Sequence, residues 1–305
     1  MNETPTIEWA GCYNDGWTGL ITPEAFAHPA KYARGLIERI MRHGLEQGYW
    51  QKGDLLGDPF GGVALGGVVA AYHGLAWVGV ELEGKFVTLG NENIDLHRQK
   101  LEALGSPIPR LLQGDSRNFA EIVKGAAGIC TSPPWADSLS SGELTWEQAV
   151  QIAEKQNKTW RQGRDTAGIE NQARNLMRKT GHNYGSTEGQ LGAETGDSYW
   201  QAMRLVYAQC LEALKPGGIM AVVVKRYVKN KKIVELSDQT MQLLIHVGFE
   251  PVERVKAMLV KETTSAGLFG EIKTTKARKS FFRRLAESKG SPPIDWEDVL
   301  FVRKP

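Results

Sequence analysis

The stretch GDLLGDPFGGVALGG at residues 53–67 places an acid, Asp58, and then a run of glycines between a strand-like apolar run and a helix-like one. Glycines at such a junction let the backbone approach a ligand closely, and the first N–H groups of a helix are free to hold it. Twenty-three residues after Asp58, Glu81 closes the next apolar run, the distance at which an acid accepts hydrogen bonds from ribose hydroxyls. Asp115 closes the run after that. Asp58, Glu81 and Asp115 at successive strand ends converge on one rim, which a nucleoside cofactor fits. The glycines lack the full G-x-G-x-x-G spacing, so NAD and other nucleosides both stay open on this pattern alone.

Thr131-Ser132-Pro133-Pro134-Trp135 follows a fourth apolar run, GICTS. Its prolines forbid both a helix and a continuing strand ladder, and they fix φ while removing two N–H donors. What remains is a rigid elbow of carbonyls beside a hydroxyl and an aromatic face. Ser132 Oγ and the Pro133 carbonyl are placed to accept both hydrogens of a planar amino group while Trp135 stacks on its ring.

These residues need a frame. Apolar runs recur at 53–58, 75–82, 109–115, 126–132, 219–225, 249–260 and 298–304, with helix-like segments from Ala64 to Tyr72 and Asn93 to Leu104 between the early ones. Runs with little alternation, separated by helices, indicate parallel strands covered on both faces. SYWQAMRLVYAQCLEAL from Ser198 to Leu214 reads as an amphipathic helix capped by Asp197 or Ser198 and ended by KPGG, and a further helix runs from Glu235 to His246. The fold expected is a doubly wound α/β sheet whose last two strands form an antiparallel pair. Residues 1–135 hold an N-terminal arm and the cofactor-binding half, and 198–305 hold the rest of the catalytic domain with a basic cluster. Residues 136–197 form a polar, Gly-rich insertion in which only Leu144 to Lys155 and Glu170 to Lys179 look helical.

With 305 residues, 41% of them hydrophobic and 24% charged, the chain has a globular composition. No apolar run approaches the roughly 18–20 residues of a membrane-spanning helix, and the first residues lack a secretory pattern. Cys12, Cys130 and Cys210 are too few and scattered for a disulfide framework or a four-ligand zinc site, so no metal is expected. The net charge of +2 hides an asymmetry: Lys215 to Pro305 carries eighteen Lys and Arg against ten Asp and Glu. Seven of those bases lie between Lys273 and Lys289 with one acid, Glu287, a pattern that binds phosphate backbones. A cytoplasmic enzyme or nucleic-acid protein is the class left.

Ser132 to Trp135 resembles the catalytic signature of the DNA amino-methyltransferases, which modify N4 of cytosine or N6 of adenine: Asp, Asn or Ser, then Pro-Pro and an aromatic. Asp58-Pro59-Phe60-Gly61-Gly62 is similar to their S-adenosylmethionine motif D-P-F-x-G. His28-Pro29-Ala30-Lys31-Tyr32, ahead of a helix over Gly35 to Met41, is similar to their H-P-x-K segment, as are LKPGG at 214–218 and IDWEDVLFVRK at 294–304 to later segments of the group. The resemblance covers about 28–135 and 197–304. It implies the mostly parallel, seven-stranded sheet of S-adenosylmethionine-dependent methyltransferases with an antiparallel last strand. It also implies S-adenosylmethionine as cofactor, bordered by Pro29, Lys31, Asp58, Phe60, Gly62, Glu81 and Asp115. Val63 and Ala64 depart from the usual D-P-F-x-G-S-G.

The resemblance implies that Ser132, Pro133, Pro134 and Trp135 are catalytic. Hydrogen bonds from both N–H groups to Ser132 and Pro133 favour the pyramidal amine and expose its lone pair for methyl transfer without a covalent intermediate. A cysteine nucleophile following a proline, which carbon-5 methylation needs, is absent. Ser in the first place, after Thr, points to cytosine N4, with adenine N6 as the alternative. The base must be flipped out of double-stranded DNA to reach the elbow. The insertion, with Arg161, Arg164 and Arg174, is the expected target contact, and Lys276, Arg278 and Lys279 the phosphate grip. Rival readings are a protein-glutamine or RNA N-methyltransferase, and a nucleic-acid-binding module without catalysis. Tyr13 and Trp17 near the start could line the cofactor or base pocket, but aromatics so placed more often anchor an N-terminal arm.

Overall fold

The computed structural model describes residues 6–28, 31–134, 147, 150–154, 169–170, 172–173, 187, 189–267, 270–278, 281–288 and 290–305. In chain order the first half holds β1 (Thr6–Trp9), α1 (Arg34–Glu46), β2 (Leu55–Asp58), α2 (Leu65–Tyr72), β3 (Ala76–Glu81), α3 (Gly84–Ala103), β4 (Arg110–Gln113), α4 (Phe119–Ile122) and β5 (Ala126–Thr131). The second holds α5 (Gly196–Ala213), β6 (Leu214–Val224), β7 (Tyr227–Lys229), β8 (Lys232–Val234), α6 (Leu236–Val247), β9 (Glu250–Met258), β10 (Val260–Gly267), β11 (Gly270–Ala277), α7 (Phe281–Ser288) and β12 (Trp296–Arg303).

Eight strands form one sheet in the order β1-β9-β12-β6-β5-β2-β3-β4. From β4 to β6 all neighbours are parallel, whereas β12 runs antiparallel to both β6 and β9. This is a doubly wound, mostly parallel α/β sheet with the antiparallel last strand that the sequence predicts. An eighth strand is added to the seven expected: Thr6–Trp9 of the N-terminal arm pairs in parallel with β9. From β2 the chain winds outward through β3 and β4, then crosses back to β5 on the other side of β2. The switch point of the topology, where ligands of open α/β sheets bind, therefore lies between β2 and β5.

The apolar runs form strands because both faces are covered. Along β6, Ile219, Ala221 and Val223 pack into the layer with Leu36, Ile40, Trp50 and Trp77, while Met220, Val222 and Val224 pack into the opposite layer with Phe119, Met203, Tyr207 and Leu244. The side chains thus follow the two-residue period of a strand, each face meeting its own helices. Helix α6 stops at Gly248, whose φ of 118° is left-handed as expected of a C-terminal glycine. Helix α5 starts slightly earlier than its sequence indicates: Thr195 is the cap, with Ser198 returning the capping-box bond, in place of Asp197 or Ser198. Helix α3 also begins nine residues before Asn93, at Gly84, immediately after the strand that ends in Glu81. Of the two helical segments expected in the insertion, the described residues 147, 150–154, 170 and 172–173 are helical. Among the described residues no helix is long and apolar enough to cross a membrane, and no group of three or more His, Cys, Asp and Glu is arranged to hold a metal ion.

Candidate active site

A cavity of about 510 Å³ opens at the carboxyl ends of the strands around the switch point. That volume suits a drug-sized ligand. One half is built by the loop after β2. Gly61 N donates to Val80 O at 2.8 Å, drawing the loop across the top of β3. Asn93, buried on α3, donates from Nδ2 to Val63 O at 3.0 Å. Gly62 takes a φ of 52°, and a Cβ there would lie 3.3 Å from the His28 ring, so only glycine lets the loop pass under His28. Ala64 keeps a left-handed φ of 60° where the resembling family has its last glycine. The departure therefore leaves the loop in a glycine-like conformation at a strain of about 1–2 kcal/mol.

Glu81 lies on the cavity wall. Its Oε2 accepts from Gly62 N at 3.0 Å and its Oε1 from Glu83 N at 3.0 Å. Burial raises its pKa, which these backbone bonds oppose. Each oxygen retains lone-pair capacity toward the cavity. Asp115 is on the same wall, but Arg117 holds both of its oxygens. Burial works to raise its pKa, yet the Arg117 hydrogen bonds and charge prevail and hold it below the usual carboxylate range. Asp58 lies behind the wall rather than on it. Its Oδ1 accepts from Thr131 Oγ1 at 2.7 Å and from Phe60 N at 3.0 Å, while Oδ2 has no hydrogen-bond partner among the described residues. Burial pushes its pKa up to about 7 against both of those bonds. Two of the three strand-end acids thus line the cavity, and the third braces the strand ends beneath.

Phe60, Gly62 and Lys31 also line the cavity. The Lys31 ammonium caps the carbonyls of Phe26 and His28, and burial lowers its pKa. Pro29 lies outside the described residues. The elbow opens on the same space: Ser132, Pro133 and Pro134 all line it. Tyr199 of α5 donates from its hydroxyl to the Pro134 carbonyl at 2.8 Å, bracing the elbow from below. Trp135 lies outside the described residues, as do Arg161, Arg164, Arg174 and Lys279.

The returning end of the insertion also reaches this cavity. Gly189, Gln190, Leu191 and Gly192 line it, and buried Glu83 accepts from Thr187 N at 3.0 Å and from the Gln190 side chain.

In the other half of the cavity the sequence points to Arg278 as a phosphate contact, whereas Lys225 and Glu297 are residues it did not assign. Because β12 runs antiparallel, its first residues lie at the carboxyl end of β6, with Asp298 opposite Val224. Glu297 therefore meets Lys225: Glu297 Oε1 lies 3.0 Å from Lys225 Nζ, and Oε2 accepts from Tyr13 OH at 2.8 Å. The Arg278 guanidinium sits 5.4 Å from the centre of the Tyr13 ring. All four residues line the cavity. Trp17 lines it too, its Nε1 donating to Tyr32 O at 2.7 Å. The antiparallel placement of IDWEDVLFVRK was the available signal, since it brings the start of that strand to the rim. Lys276 is exposed on β11, two residues before Arg278.

Neither a protein-family model nor a curated protein matches this chain. Solved structures resemble it at low identity. The [4+2]-cyclase SpnF is 12% identical over 91% of this chain and 84% of its own, with a TM-score of 0.45. A TehB-like S-adenosylmethionine-dependent methyltransferase from Corynebacterium glutamicum is 10% identical over 88% and 86%, with a TM-score of 0.38. TrmN from Thermus thermophilus is 13% identical over 88% of this chain and 49% of its own, with a TM-score of 0.38. These are likenesses of fold alone.

Proposed function

We propose that this protein is an S-adenosylmethionine-dependent DNA methyltransferase acting on the exocyclic amine of a flipped base, N4 of cytosine. The observation that carries the reading is the shared cavity: Glu81 and the loop through Gly62 line one part of its wall, and Ser132 with Pro133 lines another. The residues present fit the cofactor. Glu81 keeps acceptor capacity for a ribose diol, Gly62 removes the side chain that would crowd the loop, and Phe60 offers an apolar surface. When bound, S-adenosylmethionine supplies an electrophilic methyl group.

The chain's own residues do the rest. An exocyclic base amine is a poor nucleophile because its lone pair is delocalised into the ring. Ser132 Oγ and Pro133 O, neither hydrogen-bonded to any described residue, are acceptors for its two N–H groups and favour the pyramidal form. The two prolines and the Tyr199 brace hold those acceptors still, so that little reorganisation accompanies the reaction. The base must leave the helix stack to enter. Arg278, which lines the cavity, and exposed Lys276 on β11 supply positive charge for the DNA backbone.

The test is incubation with DNA and labelled S-adenosylmethionine, followed by nucleoside digestion and mass spectrometry. N4-methylcytosine is the expected product. N6-methyladenine would keep the mechanism and change the base, and a digest without a methylated nucleoside would overturn the reading.

A further inference from the structure

The wall formed by Tyr13, Lys225, Arg278 and Glu297 has no part in holding a nucleoside at Glu81 or an amine at Ser132. We infer that Lys225 is the residue that reads the ring of the target base, with Glu297 and Tyr13 as its positioning residues; this rests on the function proposed above.

The strand register places Lys225 beside the elbow. Thr131 on β5 is paired with Val222 on β6, and the two strands are parallel. Past Thr131 the chain leaves the ladder, and Ser132, Pro133, Val223, Val224 and Lys225 all line the one cavity. Adjacent strands lie about 4.8 Å apart, and Lys225, three residues past Val222, is the first charged residue on the β6 side beyond that pairing. Its side chain is 43% exposed and its ammonium is paired. Glu297 approaches it at 3.0 Å while its other oxygen is fixed by the hydroxyl of buried Tyr13, and the Glu297 side chain is itself only 14% exposed. An ammonium has three donors and no acceptor, so with one given to Glu297 two remain.

The chemistry of the bases supplies the match. In cytosine and adenine the ring nitrogen next to the amine-bearing carbon is an unprotonated acceptor. In thymine the corresponding nitrogen carries a hydrogen. An ammonium beside the amine site therefore accepts cytosine or adenine and disfavours thymine, reading the edge that the flipped base exposes. A lysine serving only to close an ion pair with Glu297 would be indifferent to that nitrogen.

The experiment first maps the methylated position in plasmid DNA. It then compares duplexes carrying the natural base there with duplexes in which that ring nitrogen is replaced by C–H, as in 3-deazacytosine. The wild-type protein is expected to lose about 10- to 100-fold in kcat/KM on the deaza duplex, the range for a hydrogen bond to a charged group. Lys225→Met should lose a similar factor on the natural duplex and nothing further on the deaza one, with unchanged affinity for S-adenosylmethionine. Glu297→Gln should retain activity but show weaker discrimination between the two duplexes. A wild-type protein indifferent to the missing nitrogen overturns the inference without recourse to any variant. So does a Lys225→Met protein that keeps full discrimination. Absence of any methylated base overturns the proposed function and this inference with it, whereas methylation without discrimination overturns only the inference.

Discussion

Thr131 Oγ1 donates a 2.7 Å hydrogen bond to Asp58 Oδ1, joining the carboxyl ends of β5 and β2 across the switch point of the sheet. The bond lies beneath both the loop that carries Gly62 and the elbow that starts at Ser132. It therefore sets the spacing of the two parts of the cavity without touching a ligand. Since Thr131 precedes the Ser-Pro-Pro elbow directly, the threonine ties the frame and the serine lines the cavity.

Asp58 gives this brace a pH signature. Burial raises its folded-state pKa to about 7, above the ordinary carboxylate value of about 3.8. The folded protein then binds the proton more tightly than the unfolded chain, so the contribution of Asp58 to stability is full below about pH 4 and is lost as pH rises to about 7. Asp58→Asn keeps an acceptor for Thr131 and Phe60 but cannot ionise. Its stability relative to wild type should rise across that window and level off above it. Urea unfolding at a series of pH values measures this; a difference that is flat with pH would refute the assignment.

Glu81 is expected to tolerate no amide. Both of its oxygens face backbone N–H donors, from Gly62 and Glu83, so a glutamine must turn its NH2 against one of them. Glu81→Gln should thus weaken S-adenosylmethionine binding nearly as much as Glu81→Ala, by about 10- to 100-fold in calorimetry. A glutamine variant with wild-type affinity would mean that the carboxylate holds neither the loop nor the ribose.

The strands around these residues were legible because each is a short apolar run buried on both faces, and burial on both faces leaves its mark directly in composition. The orientation of a side chain at a strand end leaves no such mark. Asp58, Glu81 and Asp115 look alike in sequence, yet one is a buried brace, one a free-facing acceptor and one is tied to Arg117. The difference depends on which neighbour each meets in space. The Tyr13–Glu297 bond joins residues 284 positions apart, a contact that no local pattern encodes. Likewise Thr6–Trp9, TIEW, alternates polar and apolar residues over only four positions, too short a run to mark a strand by itself, and it pairs with the edge that β9 offers.

Packing behind the cofactor half makes a prediction against helix propensity. Gly67 lies within α2, where alanine would ordinarily stabilise by about 1 kcal/mol. A Cβ at Gly67, however, would fall 2.4 Å from Cε3 of the buried Trp77 ring, and one at Gly79 would fall 2.1 Å from the same ring's Cη2. The ring is enclosed on both sides and has no room to retreat. Overpacking of about 1–3 kcal/mol or more should outweigh the propensity gain, so Gly67→Ala lowers the urea midpoint. An unchanged or raised midpoint would show that Trp77 can move.

Tyr199 separates support of the elbow from binding of the cofactor. Its hydroxyl holds the Pro134 carbonyl at 2.8 Å, while its ring is buried on α5 in the layer opposite α2. Tyr199→Phe keeps the ring and deletes only the bond, at about 1 kcal/mol of stability. The elbow would then be freer by one anchor, and the acceptors at Ser132 and Pro133 less well placed for the amine. A small misplacement of reacting groups lowers the rate steeply, so kcat is expected to fall about tenfold. Affinity for S-adenosylmethionine should be unchanged, because Glu81 and the Gly62 loop are fixed independently by β3 and α3. Single-turnover methylation together with calorimetry distinguishes the outcomes: equal losses in rate and cofactor affinity would show that Tyr199 supports the whole cavity, not the elbow alone.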